Sequence, residues 1–240
     1  MRRFDDEDLT GAEFRECDLS GARFVGVVMQ GVEIDGLVTD LVVNGVDVMP
    51  YVEAELDRRH PVRVLIRSED PADLQEAWRQ LKEAWDATVE RVQALPDGSE
   101  HVRVDGEWST VETLRHLVFV HDSWFRRCVL GVTEPLTPLG LASPFVPRQE
   151  EQGLDPAARP GLDEVQAVRR RQSDEVEAWL AEVSPEGLAA PAPVPDDDRW
   201  PPYTAGRTVH QCLRTVLNEE HAHHGFAVRD LETLSGRAPS

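Results

Sequence analysis

The chain has 240 residues and a formal net charge of −20, with 45 Asp and Glu against 25 Lys and Arg. No dense basic patch offsets that charge, which argues against nucleic-acid phosphates and anionic membrane surfaces as partners. Three cysteines, Cys17, Cys128 and Cys212, are too scattered for a disulfide framework or a Cys-x-x-Cys metal site and read as packed thiols.

No apolar run approaches the roughly 20 residues of a membrane span. The opening MRRFDDEDLT has no apolar core for a signal peptide, so a cytoplasmic protein is expected. Residues 4–35 carry a five-residue rhythm at Leu9, Phe14, Leu19, Phe24, Met29 and Ile34, a period that neither helix nor strand has. With small residues recurring in DLTGA and DLSGARF, this resembles a pentapeptide-repeat solenoid and implies a small β-solenoid-like lobe over 1–50. About two coils are too few to stand alone. The rhythm fails at Thr39 and Asn44, and LVTDLVVNGVDV reads as short strands turning at Asn44-Gly45.

Residues 51–70 read as a connector: a short helix, then an extended stretch, because His60 precedes Pro61. Asp70-Pro71 supplies an N-cap and a first-turn proline for a helix carrying Leu74, Trp78, Leu81, Trp85, Val89 and Val92 at helical spacing. Both tryptophans read as core. A second helix, capped at Ser109 or Thr110, runs through TVETLRHLVFVHDSWFRRCVL and is apolar on most of its circumference. A helical wheel puts His121 on the Leu114, Val118 and Phe125 stripe and His116 on the opposite side, which favours His121 as the inward histidine. Residues 131–160 are too rich in Pro and Gly for one helix and read as a lid or binding loop. A third helix spans about 162–183, where the basic run Arg169, Arg170 and Arg171 reads as a solvated face.

The last helix, over 208–231, interrupts its own apolar stripe. Val209, Leu213, Val216, Leu217, Ala227, Val228 and Leu231 line up at about 100° per residue, with Glu220 and His224 in their midst. An inward carboxylate and imidazole one turn apart need a partner, and a metal ion or a buried hydrogen bond would serve. His221 and His223 fall to the flanks. Four long helices with two long connections predict a mainly α fold, an up-down four-helix bundle over 71–235 whose loops cap one end of the site.

The motifs EWSTVETLRHL and LNEEHAHHGFAVRDL resemble the DinB-like family of metal-binding four-helix bundles, which includes thiol-dependent transferases and a mycothiol-dependent maleylpyruvate isomerase. The resemblance spans about 70–232. It implies a divalent metal at the bundle core, with His116 as first ligand, Glu220 where a histidine is usual, and His224 as third. His121 stays as the second candidate on its helix and as a proton shuttle. Zinc is expected first, with nickel, iron and manganese as alternatives.

Two functions follow. One is a metal-dependent transferase or isomerase that takes a small-molecule substrate and a low-molecular-weight thiol, the metal favouring the nucleophilic thiolate. The other is a non-catalytic interaction or scaffold protein. Residues 1–50 hold eleven acidic residues against four basic ones, a net of −7 that suits a basic protein partner. A homodimer is compatible with either.

Overall fold

The computed structural model describes residues 3–14, 17–36 and 38–236, in two compact units that divide at Met49. In the first unit the five-residue rhythm is realised as turns. Gly11, Gly21, Gly26 and Gly31 take φ of +66° to +75°, a region glycine enters without steric cost. Ala12 and Ala22 donate their N–H to the Leu9 and Leu19 carbonyls at 2.9 Å. Asp8 and Asp18 accept from the backbone N–H of Thr10 and Ser20, the short-side-chain device that closes a turn.

No regular strand lies between residues 3 and 41 among the described residues, so the expected solenoid coils are not formed as hydrogen-bonded sheets. The rhythmic apolar side chains, Leu9 to Ile34, stay 45–62% exposed, because two turns of chain enclose no interior. Strands β1 (Val42–Val43) and β2 (Val46–Asp47) pair antiparallel across Asn44-Gly45, whose φ of +50° and +82° make the expected tight turn.

The second unit is helical: α1 (Met49–Arg59), α2 (Val62–Ile66), α3 (Pro71–Gln93), α4 (Thr110–Val120), α5 (Leu162–Glu182), α6 (Pro185–Ala189) and α7 (Val209–Leu234). α4 continues as a π-helical segment, His121–Val129. The connector after His60 is not extended. Pro61 has helical angles and leads into α2, held by Arg63, which pairs with Glu53 and Asp57, and by Arg67, which pairs with Asp57. The remaining starts follow their caps. Asp70 accepts from Ala72 N–H ahead of Pro71, while Ser109 with Glu112 and Thr208 with Gln211 form reciprocal capping boxes.

Helix α3 packs on α5 and α7, and α4 packs on the same two helices, so the four long helices neighbour one another in a closed ring. One core cluster centres on Trp78, Phe125, Leu180, Leu213 and Leu217, and a second on Trp85, Val118, Val165 and Leu231. Both tryptophans are buried as expected. Cys128 and Cys212 are packed thiols, whereas Cys17 is exposed, contrary to expectation. Among the described residues no helix is long and apolar enough to cross a membrane.

Candidate metal centre

Two long helices bring three donor side chains together. His116 projects from α4, and Glu219 and His223, one turn apart on α7, face it. Glu219 Oε2 lies 3.5 Å from His116 Nε2 and 3.2 Å from His223 Nε2, and the three donor atoms lie within 4.8 Å of one another. A tetrahedral centre with bonds of about 2.0–2.1 Å sets its ligand atoms roughly 3.3 Å apart, so both contacts to Glu219 have that spacing. His116 Nδ1 sits 3.0 Å from the Leu141 carbonyl, which can only accept. The Nδ1–H is thereby fixed, and in the neutral ring the Nε2 lone pair points at the group, the arrangement a metal-binding imidazole adopts. The donors present therefore fit a divalent cation.

Burial pushes the Glu219 carboxyl up, but His116 and His223, in their protonated form and with no metal between them, outweigh it through hydrogen bonds and charge and hold the group at about 2. The Trp108 ring lies 4.8 Å from the His116 ring and is stacked 6.2 Å from that of His223, walling one side. His116 is buried, whereas the Glu219 side chain is 38% exposed and leaves an approach from solvent.

The loop over 131–160 reaches this centre because a buried arginine fixes it. Arg115, 2% exposed, donates to the carbonyls of Leu139, Asp155 and Ala158, and its own carbonyl accepts from Leu141 N–H. Those bonds carry Leu141 to His116. A second buried arginine, Arg127, anchors the Pro-rich stretch over 191–206 through Asp197 and the Pro195 carbonyl.

The expected grouping of His116 with Glu220 and His224 is not the one formed. Glu220 is buried, but its partner is an arginine: Arg169 Nη1 and Nη2 donate to its two oxygens at 2.6 and 2.7 Å. Arg169 is thus an inward residue and not part of a solvated face. His224 Nε2 lies 3.0 Å from Thr88 Oγ1 and 3.2 Å from the Ala84 carbonyl, on α3. His223, expected at the flank, is the histidine that meets His116.

His121 is buried as the wheel had it, yet it stands apart from the donor group. Its Nδ1 is 3.6 Å from Asp122 Oδ1 and its Nε2 is 3.6 Å from Glu175 Oε2 on α5. Glu219 and His223 were missed because they lie half-buried at the flank of the apolar stripe, and a search for the most central polar residue finds the buried Glu220 instead. The signal that finds them is the repeated Glu-x-x-x-His pair at 219/223 and 220/224.

The sequence model of the DinB superfamily matches residues 80–227, and that of pentapeptide repeats, in eight copies, matches residues 3–36. No curated protein and no solved structure matches the chain. With its greater part, including all three convergent donors, inside the first match, the chain belongs to the DinB superfamily.

Proposed function

We propose that His116, Glu219 and His223 hold one divalent cation and that the protein is a metal-dependent transferase or isomerase using a low-molecular-weight thiol. The observation that carries the reading is the convergence of two imidazole nitrogens on one carboxylate oxygen between α4 and α7. Three protein ligands are one fewer than a closed structural zinc site uses, which suits a centre with an open position. When bound, such a cation favours the thiolate form of a coordinated thiol, the nucleophilic form. The protein's own part is to orient His116 through the Leu141 carbonyl, to wall the centre with Trp108 and to admit ligands past Glu219. The ring of α3, α5, α4 and α7 is read as an up-down four-helix bundle. Zinc heads the candidates, with nickel, iron and manganese suited by the same donors.

A second reading, a non-catalytic protein whose acidic repeat lobe engages a partner in the cytoplasm, is favoured by the exposed apolar row from Phe4 to Ile34. Elemental analysis of purified variants tests the ligands. His116→Ala, Glu219→Ala and His223→Ala should each lose the metal, while Glu220→Gln and His224→Gln retain it. The opposite pattern would refute the ligand set. For the chemistry, a panel of cellular thiols should shift the visible spectrum of the cobalt-loaded protein; if none does and no turnover occurs, the interaction reading replaces thiol transfer.

A further inference from the structure

The first histidine of the centre is held from behind by a piece of the loop over 131–160 that runs back along α4. Thr137 donates its N–H to Asp122 at 2.7 Å, and Gly140 packs on Phe119. Leu141 meets α4 twice, its N–H on the Arg115 carbonyl at 3.0 Å and its carbonyl 3.0 Å from His116 Nδ1. There is no room for a side chain at Gly140: a Cβ there would stand 3.0 Å from Leu154, 3.1 Å from the Thr137 carbonyl and 3.3 Å from Phe119 Cβ. A later part of the same loop backs this piece, since Asp155 donates its N–H to the Pro138 carbonyl at 3.0 Å.

Arg115 joins the two parts. Its Nε donates to the Leu139 carbonyl at 2.9 Å, Nη1 to that of Ala158 at 2.8 Å and Nη2 to that of Asp155 at 3.0 Å. A buried permanent charge set against neutral carbonyls is costlier to accommodate than an apolar side chain of the same volume. What the guanidinium supplies and an apolar residue does not is a rigid fork that fixes three backbone positions at once. Leu139, the first of them, is two residues before Leu141, so the fork sets where the Leu141 carbonyl stands. That carbonyl decides which His116 nitrogen carries the proton. Glu219, 3.5 Å from Nε2, would draw it to Nε2; the carbonyl keeps it on Nδ1 and leaves the Nε2 lone pair for a cation.

We propose that Arg115 is a positioning residue for the metal centre: it sets the affinity for the cation through Leu141, and the cation in return tightens the loop pieces that Arg115 joins. The inference rests on His116, Glu219 and His223 being the ligands. Positive charge on Nε2 makes the Nδ1–H a stronger donor to the Leu141 carbonyl, as hydrogen bonds from charged groups are. The return effect then follows, because a coupling free energy between two sites acts equally in both directions.

Zinc affinity of the full chain, measured by competition with a chromophoric chelator, tests the first half. Arg115→Met and Gly140→Ala, which pushes the loop off α4 from the other side, should each bind zinc about ten- to a hundred-fold more weakly. Arg115→Lys, with one ammonium for three carbonyls, should fall between. Leu180→Ala, on α5 in the core cluster of Trp78 and Phe125, lowers stability without touching the loop and should keep the wild-type affinity. Nitrogen-15 NMR of His116 in the metal-free protein at alkaline pH gives a readout that lost stability alone does not move. Wild type and Leu180→Ala should show the Nδ1–H tautomer, and Arg115→Met and Gly140→Ala should lose it. For the second half, zinc should slow amide exchange at Leu141 and Asp155 several-fold in the wild type and not in Arg115→Met. If Arg115→Met does not fold, Arg115→Lys and Gly140→Ala decide. The proposal is overturned if the variants bind zinc as tightly as the wild type, if their His116 tautomer is unchanged, or if zinc leaves both amides as they were. A wild type that binds no zinc overturns the ligand set itself, whereas zinc binding that the variants leave intact overturns only the role of Arg115.

Discussion

Replacing Arg169 by methionine should be among the most damaging single changes on α5, although the residue sits in a run of three arginines that reads as surface. Its guanidinium makes a two-pronged contact with Glu220, and the two side chains are only 13% and 2% exposed. Arg169→Met leaves the Glu220 carboxylate buried without its counter-charge, a loss worth about 3–5 kcal/mol. In a protein of this size 1 kcal/mol corresponds to roughly 2–4 °C in Tm, so a fall of roughly 6–20 °C is expected. The double variant Arg169→Met/Glu220→Leu should recover most of that, because an apolar pair of similar volume commonly replaces a buried ion pair at little cost. Equilibrium urea denaturation of the four proteins gives the coupling directly. Metal affinity supplies a second readout. The pair fixes the rotation of α7 one residue from Glu219, so the single variant should weaken metal binding and the double should restore it. A single-variant cost below about 1 kcal/mol, the value of a surface pair, would refute the reasoning.

Acid stability should depend on Glu112. Arg103 and the Ser109 cap outweigh its burial and hold its carboxyl at about 2, against an ordinary 4.5, so its stabilisation is complete above pH 4.5 and drains away as pH falls towards 2. Glu112→Gln should therefore cost about 1 kcal/mol at pH 7, discounted because Arg103 is half exposed, and almost nothing at pH 2; equal losses at both pH values in urea titrations would contradict this. A fragment of residues 1–50 should show no cooperative melting by circular dichroism, because its apolar side chains are exposed and it has no core of its own.

Local signals predicted the helices well because they act locally. Asp70 with Pro71, Ser109 with Glu112, and Thr208 with Gln211 are each complete within four residues, and each starts a helix. The Asn44-Gly45 turn is equally short-range. Reading failed where the outcome depended on distant partners. Pro61 continues into α2 because α1 offers Glu53 and Asp57 to Arg63, which no rule about the residue before proline contains. The five-residue rhythm marks the repeat segment and the spacing of its turns, but whether its apolar row is enclosed depends on how many coils follow.

The candidate centre shows the same division at finer scale. α7 carries two Glu-x-x-x-His pairs offset by one residue, about 100° around the helix. A wheel places 220/224 at the centre of the apolar stripe and 219/223 at its flank, but that ranking does not identify the metal donors, because α7 packs on α4 along one side and on α3 along another. What separates them is the residue opposite. Arg169 brings a permanent positive charge to Glu220, and α3 offers Thr88 and the Ala84 carbonyl to His224, so that pair is satisfied by the protein itself. Opposite Glu219 and His223 stands another imidazole, fixed by the Leu141 carbonyl, and among the described residues no Lys or Arg pairs with Glu219. Of two nearly equivalent pairs, the one without an arginine is the one left with donor atoms for a metal ion.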